Sequence, residues 1–167
     1  MSYHSGEKDG ITKRIVLGKI DISKKTEAIK YFNEQIRDEL NENAIVITKD
    51  GNVIRFVGNK SGVGLWNFEI EESIITHNHP VSNGIVSFGS DDFYLLRDNQ
   101  TIAQLCCVNR DFTYTIEPIK DFSKVTYNEL YKAGLEYYSE EDFEIQDRAM
   151  RVLADRGYVK YDKRRIN

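Results

Sequence analysis

Two of the chain's three histidines, His77 and His79, stand one residue apart, behind the apolar pair Ile74-Ile75 and directly before Pro80. Side chains two apart on a strand share a face, so both imidazoles aim at one point while Thr76 and Asn78 aim away. Such a pair is a two-toothed arm for one cation. Zinc takes nitrogen and oxygen ligands in a tetrahedron, and a hydrolytic zinc uses three protein ligands plus an open position for water. A third ligand has to come from elsewhere. After a Val81–Val86 link the chain reads Ser87-Phe88-Gly89-Ser90-Asp91-Asp92, and Asp91 and Asp92 open a predicted helix that holds a carboxylate rigidly. Either could reach the histidines.

Hydrolysis also requires a general base that takes a proton from the water and passes it to the leaving group. Glu42 is placed for this, because it opens the apolar run Ala44-Ile45-Val46-Ile47-Thr48, a costly position for a charge without a role. Glu69, Glu71 and Glu72 are nearer in sequence, but their polar cluster reads as a solvated turn.

The elements that would carry these residues are legible in the periodicity. Arg14–Ile22 has the branched apolar residues of a strand, and Ser23 is a candidate cap for a helix running to Leu40, with Ile29, Phe32, Ile36 and Leu40 as one stripe. Ala44–Thr48, apolar on both faces, predicts a central strand. Asp50-Gly51 predicts a hairpin back through Asn52–Gly58. Leu65–Ile70 and Ser73–His77 read as further extended segments, the second leading into the histidines. Gly89 or Ser90 caps a helix through Leu96, and Thr101–Val108 with Phe112–Ile116 forms a hairpin. Thr126-x-x-Glu129 and Ser139-x-x-Asp142 resemble capping boxes, and Gly157 stops the last helix. The expected division is a flexible lead-in over 1–12 that contains a solvated His4, a main domain over 13–120, and a helical extension over 121–167 packed on the same domain.

At 167 residues, with 40% hydrophobic and 30% charged side chains, the chain has the size and composition of one soluble globular unit. Its net charge of −4 argues against an extended nucleic-acid surface; the basic tail Lys160, Lys163, Arg164 and Arg165 offers a short contact at most. No apolar run approaches the roughly 20 residues of a membrane span, and the N-terminus lacks the order of a signal peptide, so a cytoplasmic protein is expected. The two cysteines, Cys106 and Cys107, are adjacent on a predicted strand and so face opposite ways. They are expected to be space-filling thiols.

Glu42, then His77-Asn78-His79-Pro80, then a serine- and aspartate-containing segment opening a helix, resembles the JAB/JAMM (MPN-like) metalloprotease superfamily. The family's pattern is an upstream glutamate on a strand, His-x-His-Pro, a loop, and Ser-x-x-Asp. The His-Asn-His-Pro form is similar to the RadC-like branch and to JAB-like domains of phage minor-head and other mobile-element proteins, and the resemblance covers about residues 40 to 105. It implies an α/β (α+β) fold of cytidine-deaminase-like type, a mixed sheet flanked by helices. It also implies a Zn2+ ion held by His77, His79 and an aspartate, with Glu42 as general base in cleaving a peptide or isopeptide bond of a protein or peptide substrate. If Phe88 matches the aromatic before the family serine, Gly89 takes the serine's place and Asp92 the ligand's, with Asp91 in reserve. If Ser87 is the serine, Ser90 lies three residues on. The family serine steadies the oxyanion, a contact whose loss costs about 10²–10³ in rate, so Ser87 and Ser90 are candidate substitutes. The alternative is a weak or inactive JAB-like binding or assembly module of a phage or mobile element.

Overall fold

The computed structural model describes residues 1–4, 12–81, 86–139 and 144–166. The Val81–Val86 link falls largely outside them, as do three residues of the Ser139–Asp142 box and the side chain of His4. The strands are β1 (Ser2–His4), β2 (Lys13–Lys19), β3 (Asn43–Ile47), β4 (Asn52–Val57), β5 (Gly64–Trp66), β6 (Ile74–Asn78), β7 (Gln104–Val108), β8 (Phe112–Pro118) and β9 (Val159–Arg165); the helices are α1 (Lys25–Ile36), α2 (Ser90–Asp98), α3 (Tyr127–Tyr137) and α4 (Ile145–Asp155). Seven strands form one mixed sheet in the order β2-β4-β3-β6-β7-β8-β9, and β1 pairs with β5 in a separate two-stranded piece. The expected mixed sheet flanked by helices is therefore what the chain forms.

Every residue of β3 and β6 is buried, as continuous apolar runs at the middle of a sheet require. Alternation assigns their side chains to two cores. Ala44, Val46, Ile75 and Cys107 lie on the face covered by α2, α3 and α4, whereas Ile45, Ile47, Ile74 and Val108 lie on the face covered by α1. The β3–β4 turn works because Gly51 takes a φ of 87°, and an added Cβ there would stand 2.3 Å from the Ile20 carbonyl oxygen. Gly134 serves helix packing instead. A Cβ there would stand 3.1 Å from Arg148 Cβ, so its absence lets α3 and α4 approach closely.

Several boundaries differ from those expected. Ser23 is not the cap of α1: it lies in a 3-10 turn, Ile22–Lys24, capped by Asp21, whose Oδ1 accepts from the Ser23 backbone N–H at 3.0 Å, and α1 follows from Lys24 with no side-chain cap. The helix ends at Ile36, and Leu40 is 79% exposed, because the chain must turn there to enter β3. Within the expected lead-in, Ser2–His4 forms a strand and Met1 and Thr12 are buried.

The largest correction is at the C-terminus, where the basic tail is strand β9, paired antiparallel with β8 from Phe112↔Arg165 to Pro118↔Val159. Its alternate residues Val159, Tyr161 and Lys163 turn inward. Asp147 of α4, fully buried, accepts from Tyr161 Oη at 2.7 Å and Lys163 Nζ at 3.1 Å, and pairs with Arg151 at 3.2 Å. Asp147→Ala strands these donors, all three part-exposed, so a loss of about 2–3 kcal/mol in unfolding free energy by urea titration is expected. Asp147→Asn, which keeps the volume, is expected to lose less.

Cys106 and Cys107 are free and buried on opposite faces. Burial pushes Cys106 up to about 12, and Cys107 well above the usual thiol range. Both thiols therefore stay protonated at neutral pH, and thiolate is the reactive form. Maleimide labelling of the native protein is expected to be slow at both positions and to become fast in denaturant.

Candidate metal centre

Strand β6 is held between β3, antiparallel, and β7, parallel. His77 stands opposite Ala44, and one step on the Asn43 backbone N–H donates to Asn78 Oδ1 at 2.6 Å. The outward Asn78 then donates its Nδ2 to the carbonyls of Asn41 at 3.0 Å and Glu39 at 3.2 Å. This asparagine thus fastens the end of β6 to the segment that carries Glu42. His79 continues the strand geometry past Asn78, its N–H donating to the Val108 carbonyl at 3.0 Å.

On the inward face the two rings converge. Their Nε2 atoms are 2.9 Å apart, and each lies 3.2 Å from Asp92 Oδ2. All three residues are buried, and their ligand atoms fall within 4.8 Å of one another. Ligands at 2.0–2.1 Å from a tetrahedral zinc would be about 3.3 Å apart, so the group is close to that spacing. In the tautomers that carry their protons on Nδ1, three lone-pair donors face one point with no proton between them, a repulsive arrangement that a cation relieves. Both Nδ1 atoms are buried and make no hydrogen bond among the described residues. The rings are oriented by strand geometry and packing instead, His77 against Phe88 with centroids 6.3 Å apart.

Asp92 reaches the histidines from the first turn of α2, where Gly89 is the N-cap and donates its N–H to Asp92 Oδ2 at 3.2 Å. Burial works to raise its pKa, but His77 and the Met1 ammonium outweigh it and hold the carboxyl well below its usual range. His79 is lowered, chiefly by burial and further by His77, which leaves its ring neutral and able to ligate.

Glu42 lies on the same face, 3% exposed, with its backbone fixed by Glu42 N–H to the Asn59 carbonyl at 2.7 Å and Gly58 N–H to the Glu42 carbonyl at 2.8 Å. Among the described residues its Oε1 has no hydrogen-bond partner, and neither has Asp92 Oδ1. Both instead face the α-ammonium of Met1, at 3.6 and 3.5 Å. Burial alone would lower that amine's pKa, but Asp92 and Glu42 together raise it. Sequence reasoning missed this group; the only signal was the alternation of Met1 and Tyr3 in a stretch too short to read as a strand.

The other candidates are not gathered there. Asp91 is exposed one residue before Asp92, and Ser90 is exposed at the start of α2. Ser87 is fully buried, but its hydroxyl is engaged with Tyr161 Oη at 2.8 Å, in line with Asp147. Glu69 and Glu71 pair with Lys49 on the surface. Lys163 pairs with Asp147 and Arg164 with Asp162, so two of the four basic tail residues are engaged by carboxylates in or beside β9. A groove of about 1500 Å³ opens on the opposite face between α1 and β7–β9, lined by residues such as Asn33, Cys106 and Thr115, and His77, His79, Asp92 and Glu42 are not among its lining residues. Among the described residues, no helix is long and apolar enough to cross a membrane.

Comparisons with family models, with curated proteins and with solved structures found no match to this chain.

Proposed function

We propose that the protein is a zinc-dependent peptidase or isopeptidase of JAB/JAMM type. The observation that carries the reading is the convergence of His77 Nε2, His79 Nε2 and Asp92 Oδ2 beside the buried Glu42 Oε1, which has no hydrogen-bond partner among the described residues. A structural histidine cluster has no use for a second buried carboxylate beside it. Two histidines and an aspartate leave a fourth zinc position open, and zinc there would polarise the scissile carbonyl and acidify a water.

The chain's own residues do the rest. Glu42 takes a proton from the water as its oxygen bonds to the carbonyl carbon. The same carboxyl then returns the proton to the leaving nitrogen as the C–N bond breaks, which yields a carboxyl and an amine. Asp92 is kept ionised by its surroundings and His79 neutral, the protonation states ligation needs. Asn78 and the Glu42 backbone bonds set the distance between base and ligands.

Gly89 stands where a serine donor is expected, and both nearby serines are committed elsewhere or exposed. Turnover is therefore expected to lie below that of a site with the donor by about 10²–10³. This lends some support to a second reading, a JAB-like assembly module whose site has weakened. Incubating the zinc-loaded protein with a peptide library, and identifying new termini by mass spectrometry, separates the two. Cleavage that disappears in Glu42→Gln supports the peptidase; its absence at every peptide with zinc bound supports the module.

A further inference from the structure

The residues that lead into Asp92 are tied to α4 and β9. Ser87 is fully buried, and its Oγ lies 2.8 Å from Tyr161 Oη. Tyr161 donates its one hydroxyl proton to Asp147 Oδ1 at 2.7 Å, so towards Ser87 it can only accept, and Ser87 is the donor. Phe88, 1% exposed, packs against two rings, His77 with centroids 6.3 Å apart and Tyr161 at 6.4 Å. Gly89 then caps α2, its carbonyl accepting from the Phe93 N–H at 3.0 Å and its own N–H donating to Asp92 Oδ2 at 3.2 Å. At 3.6 residues per turn, each residue rotates the helix by about 100°, so a start displaced by one residue would put Asp91 in the place of Asp92. The grip on Ser87 and Phe88 sets that start. Asp147 holds Lys163 and Arg151 besides Tyr161, so the tyrosine hydroxyl is not needed to balance its charge. What the hydroxyl adds is the link to Ser87.

We propose that Tyr161 is a positioning residue for the metal centre, holding Asp92 and the His77 ring in place through Ser87 and Phe88. The inference rests on the reading of His77, His79 and Asp92 as metal ligands. It gives α4 and β9 a part in the site although neither supplies a ligand: Asp147 orients the Tyr161 hydroxyl, the hydroxyl fixes Ser87, and the fixed segment delivers Asp92. Groups that orient metal ligands from behind contribute to affinity nearly as strongly as their geometry is specific.

The test measures zinc affinity of the full chain by competition with a chromophoric chelator, in wild type, Tyr161→Phe, Ser87→Ala and the double variant. Ser87→Ala leaves the bonds around Asp147 intact, so it guards against a loss of fold in Tyr161→Phe. Each single variant is expected to bind zinc about 10–100-fold more weakly, and the double variant no more weakly than the weaker single, because both remove the same link. Lys163→Gln takes a different partner from the same Asp147 without touching Ser87. It is expected to unfold at lower urea and to bind zinc as the wild type does. Hydrogen exchange of the metal-free chain gives a second readout: the Phe93 amide is expected to exchange at least about tenfold faster in Tyr161→Phe, with the β8–β9 ladder unchanged. Unchanged zinc affinity in Tyr161→Phe and Ser87→Ala, additive losses in the double variant, an equal loss in Lys163→Gln, or unchanged Phe93 exchange overturns the proposal. Faster Phe93 exchange in a protein whose wild type takes up no zinc overturns the metal reading and leaves the hold of Tyr161 on α2 standing.

Discussion

Glu42→Gln is expected to lower peptide hydrolysis by about 10²–10⁴-fold, the contribution of a positioned general base, while zinc content stays at one per chain. Glutamine keeps the volume of the buried side chain and can still accept at one oxygen, but it cannot take up the water's proton. The structure makes the separation of effects sharp. Glu42 is held by β3's leading edge and its backbone partners Asn59 and Gly58, whereas His77 belongs to β6, His79 follows directly after it, and Asp92 belongs to α2. A fall in rate with unchanged metal is thus the signature of a base. If hydrolysis persists undiminished in Glu42→Gln, the proton acceptor is another group and the mechanism is wrong at that step.

The second large effect is on stability. A ligand present at a hundred times its Kd stabilises the folded state by about 2.7 kcal/mol, which for a chain of this size is about 5–11 °C in Tm. Zinc is expected to produce a rise of that order in the wild type. His77→Ala or Asp92→Asn should abolish it, because each removes one member of the three-residue cluster. Asp91→Asn, one residue away and exposed, is expected to keep the full rise. That contrast distinguishes a built site from general adsorption of zinc on a chain with 27 acidic residues. A shift that survives His77→Ala would mean that the stabilising ion sits elsewhere.

The His77–His79–Asp92 cluster was legible because it uses two simple periodicities. His77 on β6 and His79 just past its end differ by two along extended chain, and Asp92 sits in a first helical turn, where the helix dipole favours a negative charge. Glu42 was legible by its cost, a charge opening a buried strand. The choice between Asp91 and Asp92 was not legible, since it depends on where around its axis α2 begins, and Gly89 as N-cap turns Asp92 inward.

Strand β9 was missed for a physical reason. An edge strand with Lys160, Asp162 and Arg164 outward and Lys163 spent on a buried Asp147 has the composition of a solvated tail, and its strand character comes only from pairing with β8. Strand β1 was missed because three residues carry no periodicity. The end of α1 at Ile36 was hidden by Leu40, which continues the stripe in sequence but lies beyond the turn into β3.

The most direct measurement is anomalous X-ray scattering at the zinc edge from crystals of the protein loaded with one equivalent of zinc. One peak about 2.0–2.2 Å from His77 Nε2, His79 Nε2 and an Asp92 carboxylate oxygen, with Glu42 beside the fourth position, is the predicted result. Full zinc occupancy at any other place, with His77, His79 and Asp92 still in mutual contact and free of metal, would contradict it.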